Sequence, residues 1–268
     1  MNNNFKPLLN KSIVLTRSVK QSLEVRRTFE DYGAKVIDLP SLEIVEPDQT
    51  DLLDNSIKEI DKFHWIIFSS ANGIIFFEKR LNKFNKSLKD LPSSIKIAVV
   101  GLKTSSCLEG FGIKADFIPP EFVADSLIHN FPQSAYGLEV LIPRVQSGGR
   151  TILAESFSQA GAYVTEVAVY ESICPQDFPD NASIALKDKK IDAFVFASSK
   201  TVSNTALLLQ KKFGSNWKML IKNIKIISIG PQTSKQCKID FDRVDAEAII
   251  HSFEGLCDVT IKLFAKSN

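Results

Sequence analysis

No stretch of this 268-residue chain approaches the roughly 18 consecutive apolar residues that a membrane-spanning helix requires. The segment Asn2-Asn3-Asn4-Phe5-Lys6-Pro7 lacks the apolar core of a secretion signal, so a cytoplasmic location is expected. Cysteine is scarce: Cys107, Cys174, Cys237 and Cys257 form no C-x-x-C pair, which argues against a zinc or dithiol centre and for buried free thiols in a reducing compartment. Histidine is scarcer still, and His64, His129 and His251 stand too far apart in sequence to suggest a metal-ligand pattern. Charge of one sign is not in excess, with 33 Lys+Arg against 31 Asp+Glu, so the footprint of a nucleic-acid-binding protein is missing. There is no G-x-G-x-x-G after a strand, no Walker A loop and no G-x-S-x-G elbow, which disfavours nicotinamide, nucleotide-hydrolysing and α/β-hydrolase chemistry.

What is present is an alternation of short apolar runs with longer amphipathic stretches. Strands are predicted at Ile13–Thr16, Val36–Leu39, Trp65–Phe68, Ile97–Val100, Asp116–Ile118, Val140–Ile142, Val164–Tyr170, Ala193–Phe196, Ile224–Ile229 and Arg243–Val244. Several are unbroken β-branched and aromatic runs, as in a parallel sheet covered on both faces. Helices are predicted over Ser22–Tyr32, stopped by Gly33, and over Asn72–Leu81, Lys103–Gly110, Arg150–Ala160, Lys200–Phe213 and Ala246–Phe264. Strand–helix alternation points to α/β architecture with right-handed crossovers.

The chain also repeats itself. Gly33-Ala34-Lys35-Val36 returns as Gly161-Ala162-Tyr163-Val164, and Ile13–Arg17 loosely as Val140–Arg144. Phe68-Ser69-Ser70-Ala71-Asn72 returns as Phe196-Ala197-Ser198-Ser199-Lys200, and Gly101-Leu102-Lys103-Thr104 as Gly230-Pro231-Gln232-Thr233. The offsets are all 127 to 129 residues, far too long for a solenoid repeat. Two fused, related domains of five strands each follow, with a cleft between them as the expected ligand site.

Both repeats place their hydroxyl-bearing segments at strand-to-helix turns, beyond the carboxyl ends of the strands, where open α/β sheets hold ligands. Glycine permits close approach there, and amides at a helix start with the hydroxyls of Thr104 and Thr233 can hold an anion. The same residues also serve as ordinary caps. Ser69, Ser70, Asn72, Ser198 and Ser199 stand in the same position, between ligand binding and N-capping. Arg17, Arg144 and Arg150, with Lys103, are carboxylate-binding candidates or solvated surface cations. Tyr170 closes an apolar strand. A phenol, ordinarily protonated at neutral pH, can donate to a leaving hydroxyl, or can simply pack with its hydroxyl satisfied.

In order and spacing, the segments Ile13–Arg17, Lys35–Pro40, Trp65–Asn72, Val99–Thr104, Val140–Arg150, Gly161, Val169-Tyr170, Phe196–Ser199 and Ile229–Thr233 resemble the uroporphyrinogen-III synthase family across most of the chain. The resemblance implies two flavodoxin-like, doubly wound parallel-sheet domains related by internal duplication and joined by two extended linkers. Residues 1–42 with 174–268 would form the first domain and 43–173 the inserted second, whereas the tandem repeat alone suggests a split near residue 125. It implies cyclisation of hydroxymethylbilane to uroporphyrinogen III, with loss of water and inversion of ring D, in the cleft and without cofactor or metal. Tyr170 would help expel the hydroxyl. Arg17, Ser69, Ser70, Asn72, Gly101, Lys103, Thr104, Arg144, Arg150, Ser198, Ser199, Gly230 and Thr233 would hold the substrate's eight carboxylates. A monomer is expected, in transient contact with the enzyme that supplies its substrate. The segment after Thr233 lacks the glycine expected before the final strand. The competing readings are a non-catalytic two-lobed anion-binding protein and a nucleotide-sugar glycosyltransferase.

Overall fold

The computed structural model describes residues 6–18, 23–148 and 151–265. In chain order the elements begin with β1 (Ser12–Leu15), α1 (Leu23–Asp31), β2 (Lys35–Asp38), β3 (Glu43–Val45), α2 (Asp51–Lys58), β4 (Trp65–Phe68) and α3 (Ala71–Asn82). They continue with β5 (Lys96–Val99), α4 (Leu102–Gly110), α5 (Ala124–His129), β6 (Glu139–Val145), α6 (Ile152–Gln159) and β7 (Tyr163–Ile173). The last are α7 (Asp180–Lys187), β8 (Ala193–Phe196), α8 (Ser199–Phe213), α9 (Trp217–Leu220), β9 (Lys225–Ser228), α10 (Pro231–Phe241), β10 (Ala246–Glu247) and α11 (Phe253–Ala265).

Contacts divide the chain into two units, Met1–Glu43 with Ile173–Asn268, and Ile44–Ser172. The first sheet has the strand order β10-β9-β8-β1-β2, with parallel pairing throughout. Counted along the unit, this is the flavodoxin-like 2-1-3-4-5 order. The second sheet runs β3-β7-β6-β4-β5, parallel from β7 to β5. It is the same order circularly permuted, with β3, first in this unit's sequence, at the edge that β10 holds in the first sheet. Each sheet therefore mixes both sequence repeats: β1 of the first copy pairs with β8 of the second, and β4 of the first pairs with β6 of the second.

The apolar runs become strands because both of their faces are covered. In β1 and β8, Val14, Phe194 and Phe196 enter one core with α7, α8 and α10, while Ile13, Leu15, Ala193 and Val195 enter another with α1 and α11. In β4, Ile66 and Phe68 pack with α2, α3 and α4, and Trp65 and Ile67 with α5 and α6. All four cysteines are free. Burial pushes the Cys237 and Cys257 thiols up to about 12, which makes them poor nucleophiles.

Four local expectations need correction. Asp116–Ile118 is no strand: Phe117 makes a single bridge to Ala98, and Pro119-Pro120 beyond it can donate nothing to a ladder. The last strand is Ala246–Glu247 rather than Arg243–Val244. Arg243 instead donates from Nη2 to the carbonyls of Ile221 and Ile224, each at 2.7 Å. The final helix begins at Phe253, not Ala246, because Ser252 Oγ accepts from the Gly255 amide at 3.1 Å and caps it there. The segment after Thr233 simply continues α10, and Asp242 supplies at φ 62° the left-handed turn for which a glycine was expected.

Gly255 is required by space rather than by φ. A Cβ at this position would lie 2.0 Å from the Ile250 carbonyl oxygen. Gly255→Ala is expected to force α11 away from the preceding loop and to cost about 1–3 kcal/mol, read as a lowered denaturant midpoint. An unchanged midpoint would show that the loop yields freely.

Candidate functional site

In the second unit, β4 ends at Phe68 and Ser70 caps α3, accepting from the Gly73 amide at 3.1 Å. Ser70 Oγ also lies 3.2 Å from the Tyr170 hydroxyl. A regular strand could not deliver that contact. Alternation along β7 would turn Tyr170 away from the face carrying Val167 and Val169. A bulge intervenes: Arg144 is paired with Ala168, but Val145 with Tyr170, leaving Val169 unpaired. Bulges re-aim side chains next to functional sites, and here Tyr170 joins Val167 and Val169 in one core. Its ring lies 5.9 Å from that of Phe76, and the residue is 9% exposed.

This geometry leaves a proton to spare. Ser70 Oγ already accepts from an amide. If it donates to Tyr170, the phenolic proton is free to go elsewhere; if Tyr170 donates, the serine proton is free. The pair also stands at the positive end of a helix, which favours negative charge developing on either oxygen. The next residue, Glu171, is buried, and its Oε2 has no hydrogen-bond partner among the described residues.

The neighbouring turn follows β5. Gly101 stands at the N-cap of α4, and its carbonyl accepts from the Thr104 and Ser105 amides at 3.0 and 2.9 Å. Thr104 is buried and Lys103 exposed. Asn72 is half-buried in the first turn of α3, and Ser69 is exposed. Arg144 goes elsewhere: its Nη1 donates to Glu166 Oε1 at 2.7 Å, and it lines a cavity of about 660 Å³ with Asp48, Asp51 and Glu166. That acidic lining is poorly suited to a carboxylate, and Arg144 is not brought together with Ser70 and Tyr170.

The first unit builds the equivalent arrangement from the ends of β1, β8 and β9. The switch in strand order falls between β1 and β8, where ligands of such sheets sit. Arg17 leaves β1 there, with its guanidinium 5.1 Å from the Phe253 ring centre. Burial lowers its proton affinity, and it has no carboxylate partner among the described residues. An anion arriving beside this half-buried cation would offset part of its desolvation cost. Ser198 caps α8, accepting from the Thr201 amide at 3.3 Å. Ser199 Oγ donates to the Gln232 carbonyl at 3.1 Å, joining the α8 and α10 starts. Ser234 Oγ lies 2.6 Å from Ser228 Oγ and bonds Glu247, fixing the first turn of α10 to β9 and β10. Gly230 is the N-cap of α10, and Thr233 is buried behind it. Arg150 lies outside the described residues.

Two contacts were not read from the sequence. The His251 ring packs on Gly230, and Phe122 sets its Cβ 3.6 Å from where a Cβ on Gly101 would stand. Their common spacing of 129 residues was a signal, the same as that between the two glycines. Among the described residues, no group of three or more His, Cys, Asp or Glu side chains could hold a metal ion, and no helix is long and apolar enough to cross a membrane.

Comparison with known proteins agrees with this picture. The family model for uroporphyrinogen-III synthase HemD matches residues 24–258. A uroporphyrinogen-III synthase of Synechococcus elongatus is 42% identical over 250 residues, covering 93% of this chain and 94% of that protein. One from Chlorobaculum parvum is 28% identical, covering 84% and 87%. Among solved structures, uroporphyrinogen-III synthetase of Helicobacter pylori matches with a TM-score of 0.59 at 16% identity, over 94% of this chain and 99% of that one. A mutant uroporphyrinogen III synthase of Thermus thermophilus matches at 0.57 and 12%, over 96% and 100%; at these identities the structures speak for the fold alone.

Proposed function

The chain belongs to the uroporphyrinogen-III synthase family, and from that premise we propose how its own residues serve the reaction. It is a cyclising lyase of tetrapyrrole biosynthesis, converting hydroxymethylbilane to uroporphyrinogen III with loss of water and inversion of ring D. The observation that carries the assignment of roles is the Tyr170–Ser70 hydroxyl pair on the α3 N-terminus.

Tyr170 donates its proton to the departing hydroxyl, with Ser70 holding the phenol oxygen in place and the α3 amides favouring the charge left behind. Loss of that hydroxyl as water gives an azafulvene cation. The terminal ring is then attacked at its substituted carbon, and the spiro intermediate fragments and re-closes with that ring turned over. The proton released on restoring aromaticity returns to Tyr170. Spontaneous closure gives the unturned type I isomer, so the protein's larger task is to hold the chain in the productive conformation. We assign the carboxylate-holding roles within each unit: the Ser69–Asn72 and Gly101–Thr104 turns in the second, and Arg17, Ser198, Ser199 and the Gly230–Thr233 turn in the first, through amides, hydroxyls and the Arg17 guanidinium. Lys103 adds an exposed cation beside its turn, and Arg144 steadies β6 and β7 through Glu166 rather than holding substrate. We place the protein in the cytoplasm, acting as a monomer on a small molecule handed over by the enzyme that makes it.

The test is which isomer forms. Purified protein given freshly generated hydroxymethylbilane is expected to yield chiefly type III uroporphyrin after oxidation. Type I alone, at the rate seen without protein, would remove the assignment.

A further inference from the structure

The two Gly-x-x-Thr turns are copies, but what covers them differs. A Cβ on Gly230 would lie 3.0 Å from His251 Cδ2, 3.1 Å from Cγ and 3.4 Å from Nε2, so the imidazole lies flat on the bare glycine. At the matching position of the other unit, Phe122 approaches Gly101 through its Cβ, 3.6 Å from the same point. The chain thus seats a ring with nitrogens on one turn and only a Cβ beside the other.

The loop that carries His251 is held at both ends. Ala248 donates to the Ser228 carbonyl at 2.9 Å, and Ser252 to the Ile250 carbonyl at 2.7 Å, where the absent Gly255 side chain leaves room. Between these anchors Ile249 and Ile250 stand 90% and 66% exposed. His251 itself is exposed, and its ring makes no hydrogen bond or ion pair among the described residues. Nothing among the described residues uses its nitrogens, yet the ring is seated against the turn that opens α10, where the first amides of a helix lack intrahelical partners.

We propose that His251 is a substrate-binding residue: its imidazole donates an N–H to one substrate carboxylate seated at the Gly230–Thr233 turn. This rests on the synthase reading above and adds to it the residue that makes the duplicated turns unequal. Glycine at 230 is then needed not for its backbone angle, which at φ 170° is extended, but so that the ring can lie close to the amides.

Two variants separate the donor from the packing. His251→Phe keeps a flat ring on Gly230 and removes the nitrogens; His251→Gln keeps a donor and gives up the ring. With hydroxymethylbilane as substrate, His251→Phe is expected to raise KM about 10-fold, as for a lost hydrogen bond to a charged group, with kcat little changed. His251→Gln recovers most of that loss. A KM for His251→Phe within about twofold of the parent protein, or an equal rise in both variants, would overturn the proposal while the synthase reading stood. A parent protein that yields only type I at the spontaneous rate would bring down the synthase reading and this inference together.

Discussion

Tyr170→Phe is expected to lower kcat by about 100-fold or more, the range in which a positioned proton donor contributes. The variant keeps the ring against Phe76 and the core around it, and loses only the hydroxyl 3.2 Å from Ser70. Its cost in stability is that of one hydrogen bond, about 1 kcal/mol. Loss of turnover would therefore not be loss of fold. Because spontaneous closure competes, the product is also expected to move toward type I as the catalysed path slows. Steady-state assay with isomer separation checks both effects. Full turnover with type III product would remove Tyr170 as the proton donor. Ser70→Ala gives a milder version, since the phenol keeps its proton and loses only its anchor and the α3 cap.

The second large effect is on stability. Phe194→Ala is expected to cost about 3–5 kcal/mol, the usual range for emptying a buried aromatic site. Phe194 is fully buried in β8, the middle strand of the first sheet, with the rings of Phe196 and Phe241 at 6.1 and 6.4 Å. Helices on that face cannot close the gap without breaking contacts around both neighbouring rings. Ile249→Ala is the control: at 90% exposure it is expected to change stability by less than about 0.5 kcal/mol. Denaturant titration of both variants checks the contrast, and a loss below about 1 kcal/mol at Phe194 would mean that this core repacks.

The central strands were legible because burial on both faces writes them as unbroken apolar runs: Trp65-Ile66-Ile67-Phe68 sends alternate residues to two different helical layers. Elements at the margins were not. β10 has only two residues, and the short helices α2, α5 and α7 went unseen. The turns of the site were legible through their repetition, since Ser70, Ser198, Gly101 and Gly230 all stand at helix starts. The facing of Tyr170 was not, because it depends on a one-residue bulge that no alternation pattern reveals. Arg144 looked like its repeat partner Arg17, and only the fold shows that Glu166 occupies the one while the other stacks on the Phe253 ring. The residues alone led no further than a two-domain α/β protein with hydroxyl-rich turns; the activity became readable through the ordered family resemblance.

The mixing of the two repeats in each sheet bears on the order in which the protein comes into being. All strands of the second sheet lie between Glu43 and Ile173, so that sheet can be completed while the rest of the chain is still being made. The first sheet cannot. Ser12 of β1 bonds Asp192, 180 residues later. At about 5–20 residues per second, that interval lasts roughly 10–40 s. Through it β1 and β2 have each other but not β8, leaving a bare apolar edge of the kind that invites wrong pairing. β1 precedes every other described strand, yet it waits 180 residues for the segment that closes its open edge.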